Sequence, residues 1–309
     1  MGGSGGGGGG GVFGDSNLDN LRKQATKKAA EAGLESAVNA YLKNQLASVN
    51  DRDVDTVRKR LEDIESALGR DIEGLQNILF GGSVSKHTYV DGISDVDSLV
   101  LIDAGSLENK SPREMIRKFA QSLGIKLSRA EVEEISPGTL AVTIRYRDGS
   151  EIQLLPAYRT PNGFAIADIS GSKWKEIHPR KFAGALSKSN AKLGGMLVPT
   201  IKLAKALIAN FPEQRRLSGY HVEALAEAAF RGYDGPKTPK AMVTHFFVTA
   251  AQSVKMPLVD RTGQSRHLDE DMGPADSLQR RMASDSLSRV ARRMQAATSL
   301  EQWRALFEE

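Results

Sequence analysis

Gly81-Gly-Ser-Val-Ser-Lys-His-Thr-Tyr-Val-Asp-Gly-Ile-Ser-Asp-Val-Asp97, followed directly by Ser98-Leu-Val-Leu-Ile102, is the stretch on which the reading of this chain turns. A Gly-Gly-Ser turn offers backbone N–H groups and a hydroxyl to phosphate oxygens, because glycine lets the chain approach an anion with no Cβ in the way. Asp95 and Asp97 stand two apart at the mouth of an apolar β-type run. Period-2 geometry points both carboxylates to one face of that strand. Two carboxylates so placed can share a pair of Mg²⁺ ions, the arrangement used for in-line phosphoryl and nucleotidyl transfer.

Working outward, the segment before this motif is helical in pattern. Asp15 or Ser16 caps a helix over 17–48, with Leu18, Leu21, Ala25, Ala29, Leu34, Val38 and Leu42 at helical spacing; a second helix over 52–68 carries Val54, Val57, Leu61, Ile64 and Leu68. From Ile72 the units shorten: a strand over 73–80, the Gly-Ser turn with a brief helix, a strand over 97–103, and a helix over 111–123 opened by Ser111-Pro112. Strands follow over 126–134, 138–146 and 150–156, the last two joined by the turn Arg147-Asp148-Gly149-Ser150, and 157–178 reads as a loop-rich crossing. One helix among several consecutive strands argues for a mixed, largely antiparallel sheet and an α+β fold. After His178 the pattern is helical to the end, over 179–191, 194–210, 218–231, 238–253, 276–297 and 299–307.

Composition narrows the function classes. With 309 residues the chain can bury a large core, and 40% hydrophobic with 26% charged residues is ordinary for a globular protein. Apolar runs stay short of the roughly 18 residues of a membrane span, and the N-terminal Gly tract lacks an apolar signal-peptide core. That tract, Met1–Gly14, has too little apolar surface to offset chain entropy, so a disordered tail is expected. The absence of cysteine excludes disulfides, thiolate metal sites and a Cys nucleophile, and fits a reducing cytoplasm. His87, His178, His221, His245 and His267 show no zinc-ligand spacing. A net charge of +4 suits an enzyme of polyanionic triphosphates, whereas long nucleic acid calls for a denser basic patch. The strongest cluster, Arg280, Arg281, Arg289, Arg292 and Arg293, reads as a solvated helix face.

Gly82-Ser83 and Asp95-x-Asp97, with Thr88-Tyr89-Val90 and Ser94 between them, resemble the signature of the polymerase-β-like nucleotidyltransferases. The flanking residues sharpen the resemblance toward the branch holding oligoadenylate synthase, cyclic GMP-AMP synthase and the bacterial CD-NTases of anti-phage signalling (CBASS). It covers roughly residues 40–297 and implies a nucleotidyltransferase core over 15–177 with N-terminal spine helices, and an α-helical C-terminal lobe over 178–309, as in oligoadenylate synthase. It also implies a third acid three residues before a Pro-Ala. This chain has Gln153-Leu-Leu-Pro-Ala157, so the acid is replaced by an amide, which brings no charge and cannot act as a base. Glu151, two residues earlier on the same strand face, is the candidate for the missing charge, with Gln153 as a neutral neighbour.

In the helical half, Leu197-Val-Pro-Thr-Ile-Lys-Leu-Ala-Lys-Ala-Leu207 resembles the family helix whose lysine reaches the donor triphosphate; Lys205 is the better match and Lys202 the second candidate. Leu217-Ser-Gly-Tyr-His-Val-Glu223 resembles the family's Ser-Tyr-His-Leu/Ile-Glu helix start. Ser218 caps that helix, Tyr220 is placed to stack on a base, and Gly219 stands where relatives often carry a second serine. His221 and His245-Phe-Phe247 read as packing, and Asp260-Arg-Thr-Gly-Gln264 resembles a recurrent CD-NTase turn.

The resemblance thus implies a cyclic di- or trinucleotide made from ATP and/or GTP, two Mg²⁺ ions for which Mn²⁺ can substitute, a separately encoded cyclic-nucleotide-responsive effector, in some relatives a regulatory protein, and no membrane. Two other readings stay open: a template-independent polymerase that makes linear oligonucleotides or tails RNA, and, because of Gln153, a nucleotide-binding regulatory protein without turnover.

Overall fold

The computed structural model describes residues 13–48, 54–80, 83, 86–88, 90, 96–107, 109–168, 170–259, 269 and 272–308. The Gly tract up to residue 12, Gly82, Asp95 and the turn 260–264 lie outside them.

A seven-stranded mixed sheet carries the N-terminal half, with strands β1 Leu75–Phe80, β2 Val96–Ile102, β3 Val132–Pro137, β4 Val142–Tyr146, β5 Glu151–Arg159, β6 Phe164–Ala167 and β7 Trp174–Ile177. Its main path runs β1-β2-β5-β4-β3, and β6 and β7 extend from the far end of β5. Every pairing is antiparallel except that of β2 with β5. This is the mixed, largely antiparallel sheet expected.

Alternation along the strands sorts the two faces. Val100, Ile102, Val142, Ile144, Ile152 and Leu154 point to one side and form a core with Ile64, Leu68, Ile116 and Phe119. The last four come from helices α2 (Val54–Gly69) and α3 (Pro112–Lys126). Leu99, Leu101, Ala157 and Phe164 point to the other side. Asp97, Glu151 and Gln153 have the parity of this second face.

Helix α3 starts where its chemistry dictates. The Ser111 side chain accepts from Glu114 N, the Glu114 carboxylate returns to Ser111 N, and Pro112 fills the first turn. It continues to Lys126, past the expected end at 123, so the strand expected over 126–134 begins only at Val132. The crossing over 157–178 is likewise not mere loop, since it holds the end of β5 and the short strands β6 and β7.

The remaining helices are α1 (Phe13–Ser48), α4 (Pro179–Lys192), α5 (Leu197–Ala209), α6 (Gly219–Ala229), α7 (Pro239–Ser253), α8 (Leu278–Ala296) and α9 (Leu300–Arg304). Their core centres on Ile201, Leu225, Phe246, Phe247, Leu287 and Trp303, and α1 adds Val38 and Leu42 to it. His245 packs as expected, its ring against Phe230 and Tyr233 and its Nε2 2.9 Å from Ala229 O. Arg280 corrects the expectation of a solvated arginine face. It is wholly buried, donating to Asp269 Oδ2 at 2.6 Å and to the carbonyls of Val254, Met256 and Gly273. Arg281, Arg289 and Arg292 are exposed. Among the described residues no helix is long and apolar enough to cross a membrane.

The β4–β5 turn is clamped from α2. The Arg60 guanidinium lies 3.8 Å from the centroid of the Tyr146 ring and donates to Ser150 Oγ at 2.6 Å and Asp148 Oδ2 at 2.8 Å. Burial pushes the Asp148 carboxyl up, but the hydrogen bonds from Arg60 and Ser150 outweigh it and bring the pKa to about 2. A depressed carboxyl stabilises above its unfolded pKa and loses that contribution as pH falls through the folded value. Asp148→Asn is therefore expected to cost about 1 kcal/mol or less at pH 7, Asp148 being half exposed, and the gap to the parent should close between pH ~4 and ~2. Urea unfolding at pH 7, 4 and 2 checks this; a gap independent of pH would assign the effect to packing.

Candidate active site

The site forms where β2 and β5 run parallel. Register places Asp97 beside Gln153, and Gln153 in turn beside Thr143 of β4. In-register neighbours on adjacent strands point to the same face, so the Asp97 carboxylate and the Gln153 amide lie side by side. Glu151 shares that face, next to Arg145 in the β4–β5 register, and its Oε1 accepts from Arg145 Nε at 2.6 Å. The structure thus sets the amide against Asp97 and commits the candidate third carboxylate to an arginine. Among the described residues no group of three His, Asp or Glu side chains gathers as a metal-binding set. Asp97 and Gln153 are nonetheless hard oxygen donors, the kind that magnesium takes.

Near enough to Asp97 to act on its carboxyl lies a buried ionic cluster drawn from three segments. Lys205 of α5 is 4% exposed and Glu223 of α6 is 1% exposed. Lys205 Nζ donates to Glu223 Oε1 at 2.8 Å and to Thr88 O at 3.0 Å. Thr88 Oγ1 donates to the same Glu223 oxygen, and Lys86 Nζ pairs with the other one, Oε2. Thr88 N donates to Ser83 O at 2.9 Å, which ties the buried Ser83 of the Gly-Ser turn to the cluster.

Because two ammonium groups share one carboxylate, Glu223 stays ionised. Desolvation pushes its pKa up, but Lys205 and Lys86 outweigh that and hold it below the usual range. Lys205 is lowered, chiefly by burial and further by the like charge of Lys86, against the pull of Glu223. Burial pushes the Asp97 carboxyl above the usual range; Lys86 and Lys205 oppose this and Glu223 adds to it.

Gly219 explains its own departure from serine. A Cβ there would lie 3.3 Å from Lys205 Nζ, so the bare backbone makes room for the lysine tip. Ser218 caps α6 as expected, accepting from His221 N at 3.2 Å. His221 is buried, its Nε2 3.4 Å from Asp269 Oδ2. Lys202, one turn before Lys205, is half-buried, and it is Lys205 that reaches Thr88 and Glu223.

Tyr220 stands edge-on to Phe182 of α4, with ring centroids 4.9 Å apart, and Lys86 Nζ lies 4.9 Å from the Tyr220 centroid and 5.2 Å from that of Phe182. Lys86, Glu223 and Phe182 are the residues that sequence reasoning did not single out. Glu223 does carry a signal: it sits among Val222, Ala224, Leu225 and Ala226, all buried, where an unpaired carboxylate would be costly. Phe182 carries none, being one apolar residue on an amphipathic helix.

Tyr220→Ala is expected to weaken binding of a non-hydrolysable ATP analogue about tenfold, since stacking on a base is worth ~1–3 kcal/mol, while Tyr220→Phe stays within about twofold. Calorimetric titration compares them; equal affinity for Tyr220→Ala and parent would remove the stacking role.

Comparison with known proteins places this geometry in context. A family model described as Second Messenger Oligonucleotide or Dinucleotide Synthetase domain matches residues 34–190. No curated protein matches the chain. Among solved structures, the CD-NTase CdnG of Bradyrhizobium diazoefficiens, in complex with GTP, aligns with a TM-score of 0.64 at 15% identity, covering 87% of this chain and 94% of that one. The cyclic AMP-GMP synthase DncV of Vibrio cholerae, in complex with the linear intermediate pppA(3′,5′)pG, aligns at 0.62 and 13% identity, covering 96% and 90%. CdnC of E. coli MS115-1, in a CdnC:HORMA-deltaN complex, aligns at 0.55 and 16% identity, covering 82% and 90%. At these identities the likeness is one of fold.

Proposed function

Since the chain belongs to the Second Messenger Oligonucleotide or Dinucleotide Synthetase family and is a CD-NTase, a nucleotidyltransferase that produces cyclic oligonucleotides, we propose that it joins ATP and/or GTP into a cyclic di- or trinucleotide messenger of anti-phage defence. The observation that carries this reading is the convergence of Asp97, the Ser83 turn and Lys205 on one buried cluster. Asp95 and Asp97 would hold two Mg²⁺ ions, or Mn²⁺, with the Gln153 oxygen beside them. Glu151, on the same strand face, would complete the acidic set on release from Arg145. Bound Mg²⁺ supplies neutralisation of the charge that develops on the attacking hydroxyl and on the leaving pyrophosphate.

The chain's own residues do the rest. Gly82 and Ser83 cradle the donor phosphates, Lys205 and Lys202 supply positive potential behind them, Ser218 presents the α6 N-terminus, and Tyr220 stacks a base. A ribose hydroxyl oxygen bonds to the α-phosphorus, the bond from that phosphorus to the bridging oxygen breaks, pyrophosphate leaves with the electron pair, and the hydroxyl proton passes to solvent. A second, intramolecular attack closes the ring. The messenger would act in the cytoplasm on a separately encoded effector, and a regulatory protein docked on this surface fits the CdnC:HORMA-deltaN precedent of the fold.

Purified protein with labelled ATP, GTP, CTP and UTP plus Mg²⁺ or Mn²⁺ tests the reading. Phosphatase-resistant label is expected. Phosphatase-sensitive linear oligomers or tailed RNA would replace it with the polymerase reading, and intact triphosphates with the regulatory binder that Gln153 motivates.

A further inference from the structure

Three charges bear on Asp97, in decreasing order Lys86, Glu223 and Lys205, and the last two are almost wholly buried. Together the four groups are balanced, two ammoniums against two carboxylates. Glu223 nevertheless takes both lysines: Oε2 holds Lys86, and Oε1 holds Lys205 together with Thr88. Neither lysine has a direct contact with Asp97 among the described hydrogen bonds and ion pairs. The lysines are also fixed from behind, Lys86 by the Tyr220 and Phe182 rings and Lys205 by Thr88 O and the bare Gly219.

We propose that Glu223 is a positioning residue that sequesters Lys86 and Lys205 and so reserves the Asp97 carboxylate for a divalent cation. Ammonium groups released from Glu223 would find in Asp97 the neighbouring carboxylate, and an ammonium paired there competes directly with a metal ion for the same oxygens. This assignment rests on the reading of Asp97 as a metal-binding carboxylate, and it adds a residue of the helical half that never touches the metal.

The test is a titration of the full-length protein with Mn²⁺, free ion being followed by electron paramagnetic resonance. Glu223→Gln keeps the side-chain shape but releases both cations, so the Mn²⁺ dissociation constant is expected to rise about tenfold. Adding Lys86→Met and Lys205→Met to that variant removes both released cations and is expected to bring the constant back to within about threefold of the parent. A purely structural role for Glu223 predicts no such recovery. Lys86→Met alone strands no buried cation, leaves Glu223 with Lys205 and Thr88, and is expected to tighten Mn²⁺ about threefold, so the proposal stays testable should Glu223→Gln fail to fold. Unchanged Mn²⁺ binding in Glu223→Gln, with binding lost in Asp97→Asn, would overturn the sequestering role and leave the metal reading standing. Mn²⁺ binding in Asp97→Asn equal to that of the parent would overturn both.

Discussion

Asp97→Asn is expected to reduce nucleotidyl transfer by roughly a thousandfold or more, ~4 kcal/mol of transition-state stabilisation, while the fold persists. The substitution removes the one charge that β2 presents beside Gln153, and it hardly changes side-chain size. No described neighbour adds a charge in its place, because Glu151, held by Arg145 at 2.6 Å, already belongs to the proposed acidic set and Glu223 is held by two lysines. Stability at neutral pH should hold or rise slightly. Burial raises the Asp97 carboxyl, so ionising it costs the folded state, and the neutral amide escapes that cost. Turnover of labelled triphosphates and thermal melting at pH 7 check the pair of outcomes. Residual turnover within about tenfold of the parent would refute the metal-binding role.

Lys205→Met is expected to act first on stability. It leaves Glu223, 1% exposed, with one cation in place of two, and it strips Thr88 O of its ammonium donor. Removing one partner of a buried ion pair costs about 3–5 kcal/mol, and since Lys86 still compensates Glu223 the loss here should be about 2–4 kcal/mol, lowering the melting temperature by roughly 5 °C. Lys205→Arg should not rescue it, because a planar guanidinium does not reproduce the compact ammonium's contacts with Glu223 Oε1 and Thr88 O. Under conditions where the variant is folded, it should lose affinity for a triphosphate analogue far more than for adenosine, and the loss should shrink as salt rises. A melting temperature within about 2 °C of the parent would show that the pair contributes little. Equal losses for adenosine and triphosphate would show that Lys205 does not read phosphate.

Much of this was legible in residues alone, and the exceptions have physical causes. The run of Val, Leu and Ile after Asp95-x-Asp97 marks the strand β2, because four consecutive apolar residues suit a strand covered on both faces. The Leu-Leu-Pro-Ala run after Gln153 likewise marks β5, which register sets beside β2. By contrast β6 and β7 have four residues each, too few for alternation to stand out. β3 carries Glu133 and Glu134, both exposed, at the edge of the sheet, so its pattern lacks a buried face. Ile125 and Leu127 mimic the start of that strand, yet Ile125 is a helical residue turned to solvent. Arg280 is buried against Asp269, a partner on a separate segment, and no local pattern announces a pairing over that distance. The Lys86–Glu223–Lys205 cluster is hidden for the same reason.

The lone parallel pairing has a kinetic consequence. β1 and β2 form one locally connected unit, β3, β4 and β5 another, and among the described residues the strands of the two pair through β2 against β5, whose partners are far apart in the chain. Closing so long a loop forfeits much chain entropy before any contact repays it, so this seam should knit late on the folding route. Side chains there would then have small φ-values: truncations at Leu99 or Leu155, partners in that register, should alter the unfolding limb of a chevron far more than the refolding limb. The seam that sets Asp97 beside Gln153 is, on this account, also the one that governs how long the native state persists.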